Sequence, residues 1–226
     1  SKAYGIKFLD KEGKEEFAWQ NTFAISTRML GVMFAVHSDE KGLVLPPKIA
    51  PTKVVIVPIL FEDSKEKVLK SAREVAKKIG EGVLVDDREE YKPGFKFNEW
   101  ELKGVPLRIE IGPKDLEKNQ VVISRRDNGK KEIVKVSEVK KKVEVLLEEI
   151  QTELLKKAER HLKEAVVEAK DMKEVKKVIE GKKLAFAPLC RARECEDNFK
   201  FESGGAKVLN IPDEQPKELG KAKCVV

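Results

Sequence analysis

Between residues 54 and 136, short apolar runs that suit strands alternate with stretches of helical period. That alternation confines the segment to an α/β arrangement around a mixed sheet. Val54-Val-Ile-Val-Pro-Ile59 reads as a buried strand. Over 64–79, Val68, Leu69, Ala72, Val75, Ala76 and Ile79 fall on one helical face, and Gly80 and Gly82 end the helix. Val83-Leu-Val-Asp-Asp87 is the next strand, 96–102 a short helix, 105–111 a strand and 113–118 a turn or short helix. The runs 121–126 and 131–136 flank Asn128-Gly129, a dipeptide that favours a tight hairpin turn.

The flanks follow other patterns. Residues 1–20 read as a hairpin around Lys11-Glu-Gly13, and 21–25 as a strand. Ser26 or Thr27 can cap a helix that runs through 29–36, apolar nearly all round and so expected to be buried. Arg28 lies in its first turn, where a cation opposes the helix dipole, which marks it as a candidate functional residue. Pro46, Pro47 and Pro51 stiffen a crossing segment and place a domain boundary near Pro51. Apolar residues from Val139 to Val166 recur at helical spacing, which predicts one long amphipathic helix that packs on, or bridges, its neighbours. Asp171-Met-Lys-Glu174 reads as a capped helix start, and a strand over 184–187 leads into Cys190.

The charges narrow the partners. The chain of 226 residues is 41% hydrophobic and 38% charged, a globular composition with a heavily charged surface, and its net charge of +6 mildly favours a polyanionic partner. No apolar run reaches the ~18 residues that a membrane-spanning helix needs, and no signal peptide is evident. Three cysteines, an odd number, argue against a secreted disulfide scaffold and make the cytoplasm the expected compartment. The chain opens on Ser1, in what reads as mid-domain, and is expected to be a fragment.

In a chain with 6% aromatics, the stretch 91–108 holds Tyr91, Phe95, Phe97 and Trp100, interleaved with Lys92, Lys96, Glu101, Lys103 and Arg108. Rings stack on unpaired RNA bases and cations hold phosphates. A carboxylate can accept from the Watson–Crick edge of guanine, and a guanidinium can donate to its Hoogsteen edge. The alternative is a half-buried loop and strand with solvated charges. Near the C-terminus, Cys190-Arg-Ala-Arg-Glu-Cys195 has a spacing that suits two zinc ligands, with Cys224 as a third. Gly204-Gly205 and two prolines, Pro212 and Pro216, between them suit a small, loop-rich module that needs a staple; three ordinary thiols are the alternative.

Specific motifs go further. Asn21-Thr-Phe-Ala-Ile-Ser-Thr-Arg28, Gly31-Val-Met33 and His37-Ser-Asp-Glu-Lys-Gly-Leu-Val-Leu-Pro-Pro47 resemble motif 3 of a class II aminoacyl-tRNA synthetase and the exit from its catalytic domain. Tyr91-Lys-Pro-Gly-Phe-Lys-Phe97, Trp100-Glu-Leu-Lys-Gly-Val-Pro106, Gly112-Pro-Lys-Asp115 and Arg125-Arg-Asp127 resemble prolyl-tRNA synthetase of the archaeal and eukaryotic type. The resemblance implies three parts: residues 1–50 as the end of an antiparallel-sheet catalytic domain, 51–150 as an anticodon-binding domain with a mixed five-stranded α/β sheet, and 151–226 as an α+β zinc-binding domain with the long connecting helix.

The same resemblance implies activation of L-proline with ATP and Mg²⁺ as prolyl-adenylate, transfer to tRNA(Pro), and a homodimer. Arg28 matches the arginine that grips the ATP phosphates. Thr27, Thr22 and His37 match the nucleotide and proline pocket. Glu101 and Arg108 match readers of the two guanines that end every proline anticodon. Phe97 matches a stacking partner, Lys103 a phosphate contact, and Asp115 a further tRNA-binding position. Cys190, Cys195 and Cys224 match structural zinc ligands. The chain departs from the family at Thr22-Phe23-Ala24, where Ser-Trp-Gly or Ser-Phe-Gly is usual, and at His37-Ser38-Asp39, where His-Gly-Asp is usual. With motifs 1 and 2 absent from these residues, the chain alone is not expected to aminoacylate tRNA. The alternatives are a non-catalytic tRNA-binding module of synthetase origin and a synthetase of the same subclass for another amino acid.

Overall fold

The computed structural model describes residues 1–190, 192–213 and 222–226. They form two compact units, 1–45 with 49–139, and 46–48 with 140–226.

The first unit opens with the antiparallel hairpin β1 (Lys7–Leu9) and β2 (Glu15–Phe17), and then α1 (Thr27–His37). Its centre is β3 (Val54–Pro58), α2 (Lys65–Ile79), β4 (Val83–Val85), α3 (Pro93–Leu102), β5 (Leu107–Ile111), α4 (Pro113–Glu117), β6 (Gln120–Arg125) and β7 (Lys131–Lys135). The five strands run in the order β4-β3-β5-β6-β7. β3 pairs in parallel with β4 and β5, whereas β6 and β7 continue antiparallel, so the sheet is mixed and five-stranded as expected.

All five residues of β3 are buried, as a central strand covered on both faces requires. Val55 and Val57 pack with Val105 against Phe97 and Trp100 of α3. Val54 and Ile56 alternate to the opposite face. α2 buries Val68, Ala72 and Val75 and lies along β3 and β4. α3 begins at Pro93, earlier than the apolar pattern marks it. Proline has no N–H to lose in a first turn and its fixed φ suits a helix start.

Two expectations fail in the first 40 residues. Residues 21–25 form no strand, since no segment among the described residues offers them a hydrogen-bond ladder. α1 is helical but not buried: Met29, Leu30, Val32 and Val36 are exposed, because nothing among the described residues covers that apolar face.

The second unit begins with α5 (Val139–Ala165), the expected long helix, with a buried stripe at Val143, Leu146, Ile150 and Leu154. β8 (Val166–Glu168), α6 (Met172–Glu180), β9 (Leu184–Phe186) and α7 (Arg193–Glu202) follow, with β8 and β9 parallel. Asp171 caps α6, its Oδ1 accepting from the Glu174 N–H at 2.8 Å. The core is small: Ala169, Val175, Phe199 and Val225, with Met172, Leu189 and a few others packed around them.

Candidate nucleic-acid interface

The C-terminal end of α3, strands β5 and β6 and the β6–β7 turn enclose a cleft of ≈ 210 Å³. Its walls include Lys41, Glu101, Arg108, Arg125, Arg126 and Lys131, with Trp100 among the other lining residues. One carboxylate therefore faces five cations. Glu101 comes from the last turn of α3 and Arg108 from β5, so the fold joins two side chains that the tight turn at Gly104 separates in sequence.

Arg108 is held from two sides. Its guanidinium lies 4.4 Å from the centre of the Phe97 ring, a cation–π contact. Its Nε and Nη2 donate to Glu110 Oε1 at 3.2 and 3.0 Å, which leaves Nη1 unengaged among the described residues. Glu110, itself buried, also accepts from Lys131 Nζ at 2.9 Å. Arg125 forms a forked pair with Asp127, at 3.0 and 2.8 Å. Glu101 Oε1 lies 3.1 Å from the exposed Lys41 Nζ, an ion pair of little strength in solvent. The Glu101 carbonyl accepts from Arg126 Nε at 2.8 Å, and Arg126 in turn forks onto Asp39. The Arg126 hydrogen bonds, offset partly by burial, hold the Asp39 carboxyl down at about 2.

α3 itself is pinned from beneath by Asp86, which follows β4. Asp86 Oδ2 accepts from Trp100 Nε1 at 2.7 Å, and both its oxygens accept from Arg88, each at 2.8 Å. Lys96, 2% exposed, donates to the Asp86 carbonyl at 3.0 Å and lies 3.7 Å from its Oδ1. Burial works to raise the Asp86 pKa; the Arg88 and Trp100 hydrogen bonds and the Lys96 charge outweigh it and bring it to about 2.

Lys103 and Asp115 do not line the cleft. Lys103 pairs with Glu99 at 2.7 Å and sits 4.5 Å over the Trp100 ring. Asp115 Oδ2 accepts the Gly112 N–H at 3.0 Å and so caps α4, and Oδ1 accepts from Gln120 at 3.4 Å. Thr22 lies in an exposed extended stretch, Thr27 and Arg28 in the exposed first turn of α1, and His37 at its other end, about 15 Å away along the axis. These four do not converge on one point. Sequence reasoning missed Lys41, Arg126 and Lys131 as parts of the cleft, and Glu110 as the partner that holds Arg108. The Arg125-Arg-Asp127 run beside a hairpin turn and Asp39 were visible within motifs, but the pairing of Arg125 with Asp127 and of Arg126 with Asp39 was not.

In the second unit, Cys190, Cys195 and Cys224 bring their sulfurs within 4.8 Å of one another. Tetrahedral zinc with sulfurs at ~2.3 Å needs them about 3.8 Å apart, so the donor set fits with little adjustment. Cys224 Sγ accepts the Cys190 N–H at 3.4 Å. Burial works to raise the Cys224 thiol, but the Cys190 and Val226 N–H groups and the neighbouring thiols win and lower it. The Cys190 side chain, burial and Cys224 push Cys195 up to about 11. Thiols this close suit a shared cation, which would remove their mutual repulsion. Among the described residues no fourth Cys, His, Asp or Glu joins them.

The comparisons agree with this layout. The family profile described as "Anticodon binding domain" matches residues 53–146, and the one described as "Prolyl-tRNA synthetase, C-terminal" matches 172–226. The proline–tRNA ligase of Oceanobacillus iheyensis is 44% identical over 225 residues, 99% of this chain and 46% of that protein. That of Natranaerobius thermophilus is 41% identical over 217 residues, 95% of this chain and 45% of that protein. A crystal structure of prolyl-tRNA synthetase from Cryptosporidium parvum, complexed with halofuginone and AMPPNP, superposes with a TM-score of 0.90 at 41% identity, over 100% of this chain and 47% of that one. The chain spans about half the length of the curated relatives it matches. Sequence and fold agree along its whole length, and the chain belongs to the prolyl-tRNA synthetase family.

Proposed function

We propose that this chain supplies anticodon recognition to a proline–tRNA ligase, which attaches proline to tRNA(Pro) through prolyl-adenylate with ATP and Mg²⁺. One observation carries the reading: Glu101 and Arg108, an acceptor and a donor suited to the two edges of guanine, meet in one cleft whose other charged walls are cationic. Glu101 accepts from the Watson–Crick edge. Arg108, pre-aimed by Glu110 and the Phe97 ring, donates to the Hoogsteen edge. Phe97 offers an apolar face beside the base, and Lys103 a phosphate contact on the outer flank of α3. Asp115 acts through the turn it caps.

In this reading 51–150 is the anticodon-binding domain, 1–50 the end of the catalytic domain and 151–226 the C-terminal domain. Arg28, with Thr22, Thr27 and His37, belongs to the ATP and proline site, completed by residues outside these 226. An arginine fork neutralises phosphate charge as the adenylate forms. Their exposure here, and the uncovered face of α1, accord with a site shared with further chain. Cys190, Cys195 and Cys224 would hold a structural Zn²⁺ that ties the C-terminal tail to the start of α7. The setting is cytoplasmic and the enzyme a homodimer. No helix among the described residues is long and apolar enough to cross a membrane.

The test is equilibrium binding of tRNA(Pro) by this chain. Arg108→Ala and Glu101→Gln are each expected to weaken binding by about 1–3 kcal/mol. Wild-type affinity in both variants would refute the assignment.

A further inference from the structure

Segment 39–45 crosses directly over the C-terminal end of α3. The Leu43 N–H donates to the Leu102 carbonyl at 3.0 Å, and the Leu45 N–H to the Gly104 carbonyl at 3.2 Å. A Cβ on Gly42 would lie 2.6 Å from the Leu102 carbonyl oxygen, and one on Gly104 2.6 Å from the Leu43 backbone. Both glycines have positive φ, 127° and 75°, so this backbone-on-backbone contact needs glycine at both positions.

The crossing delivers Asp39 to Arg126. Asp39 Oδ2 accepts from Nη1 at 2.7 Å and Oδ1 from Nη2 at 2.5 Å. The fork leaves Nε, and Nε donates to the Glu101 carbonyl at 2.8 Å. That carbonyl, which also accepts the Gly104 N–H at 3.1 Å, lies at the end of α3, where a cation is favoured by the helix dipole. The Arg126 side chain is 4% exposed, so its charge depends on Asp39 for compensation. From the same segment, Lys41 reaches the Glu101 carboxylate. Glu101 is thus held at its main chain through Arg126 and touched at its side chain by Lys41.

We propose that Asp39 and Arg126 are positioning residues of the cleft: Asp39 fixes the Arg126 fork, and Arg126 fixes the end of α3 so that the Glu101 carboxylate meets the Watson–Crick edge of an anticodon guanine. This rests on the assignment of Glu101 as a guanine reader. Without the Asp39 charge, the buried guanidinium is drawn toward the Glu101 carboxylate and competes with the base for it.

Inosine tests the geometry, because it lacks the exocyclic amine that guanine presents on that edge. The chain is titrated with tRNA(Pro) transcripts in which either anticodon guanine is replaced by inosine. At one of the two positions wild type is expected to prefer guanine about tenfold or more, the loss of a hydrogen bond to a charged acceptor. Asp39→Asn, which keeps the shape and removes the charge, is expected to narrow that preference to about threefold or less. Asp39→Glu, which restores the charge, is expected to recover most of it. A full wild-type preference in Asp39→Asn would overturn the positioning role while leaving Glu101 as the reader. Absence of the preference in wild type would overturn the Glu101 assignment, and this proposal with it. An equal drop in affinity for both transcripts, with the ratio intact, would show a structural role only and also overturn it.

Discussion

At the scale of single residues, the cleft depends on groups that never touch it. Asp86 is the clearest case. It sits beneath α3 and accepts from Arg88 and Trp100, with Lys96 buried beside it. Removing the carboxylate would strand the Lys96 ammonium in the interior. Asp86→Ala is therefore expected to lower stability by about 3–5 kcal/mol, read as a shift of the urea midpoint at unchanged slope. Adding Lys96→Met, which removes the stranded charge, should restore much of that loss. A single variant within about 1 kcal/mol of wild type would contradict the role given to Asp86. The pH dependence has a fixed sign. A folded pKa of about 2, below the ordinary 3.8, contributes stability that is complete above pH 3.8 and is lost as pH falls toward 2. Asp39 behaves in the same direction, so both anchors hold near neutrality and loosen only in acid.

Among the elements, those with a strong period were legible and those fixed by distant contacts were not. α2, α5, β3 and the β6–β7 hairpin follow from apolar spacing and the Asn128-Gly129 turn. β8 and α7 did not show, because β8 is three residues long and exists through pairing with β9, while α7 is rich in charge on every face. The cysteine spacing suggested a shared site, and the fold brings all three sulfurs together. Among the described residues, the core beside them has four buried apolar residues, one of them Val225, next to Cys224. So small a core gains much from a cross-link. Metal analysis of untreated protein is expected to give about one equivalent of zinc, with chelation lowering the stability of this unit. Less than about half an equivalent would contradict the zinc assignment.

At the scale of the whole molecule, Glu101 and Arg108 were easier to read from the sequence than what surrounds them. Glu101 and Arg108 lie in one specific stretch, so their pairing could be anticipated. Lys41, Arg126 and Lys131 reach the cleft from segments far apart in the chain, and no local pattern links them. The exposed face of α1 was unreadable for the opposite reason: its pattern is that of a buried helix, and nothing among the described residues covers it. The basic net charge of +6 supplies general attraction to RNA, which cannot tell one anticodon from another. In the proposed reading, the discriminating power lies in the cleft. Its most direct test compares binding of the wild-type chain to tRNA(Pro) and to the same tRNA with both anticodon guanines replaced by adenines. The cleft predicts a loss of about 1–3 kcal/mol for each guanine removed; equal affinity for the two tRNAs would contradict it.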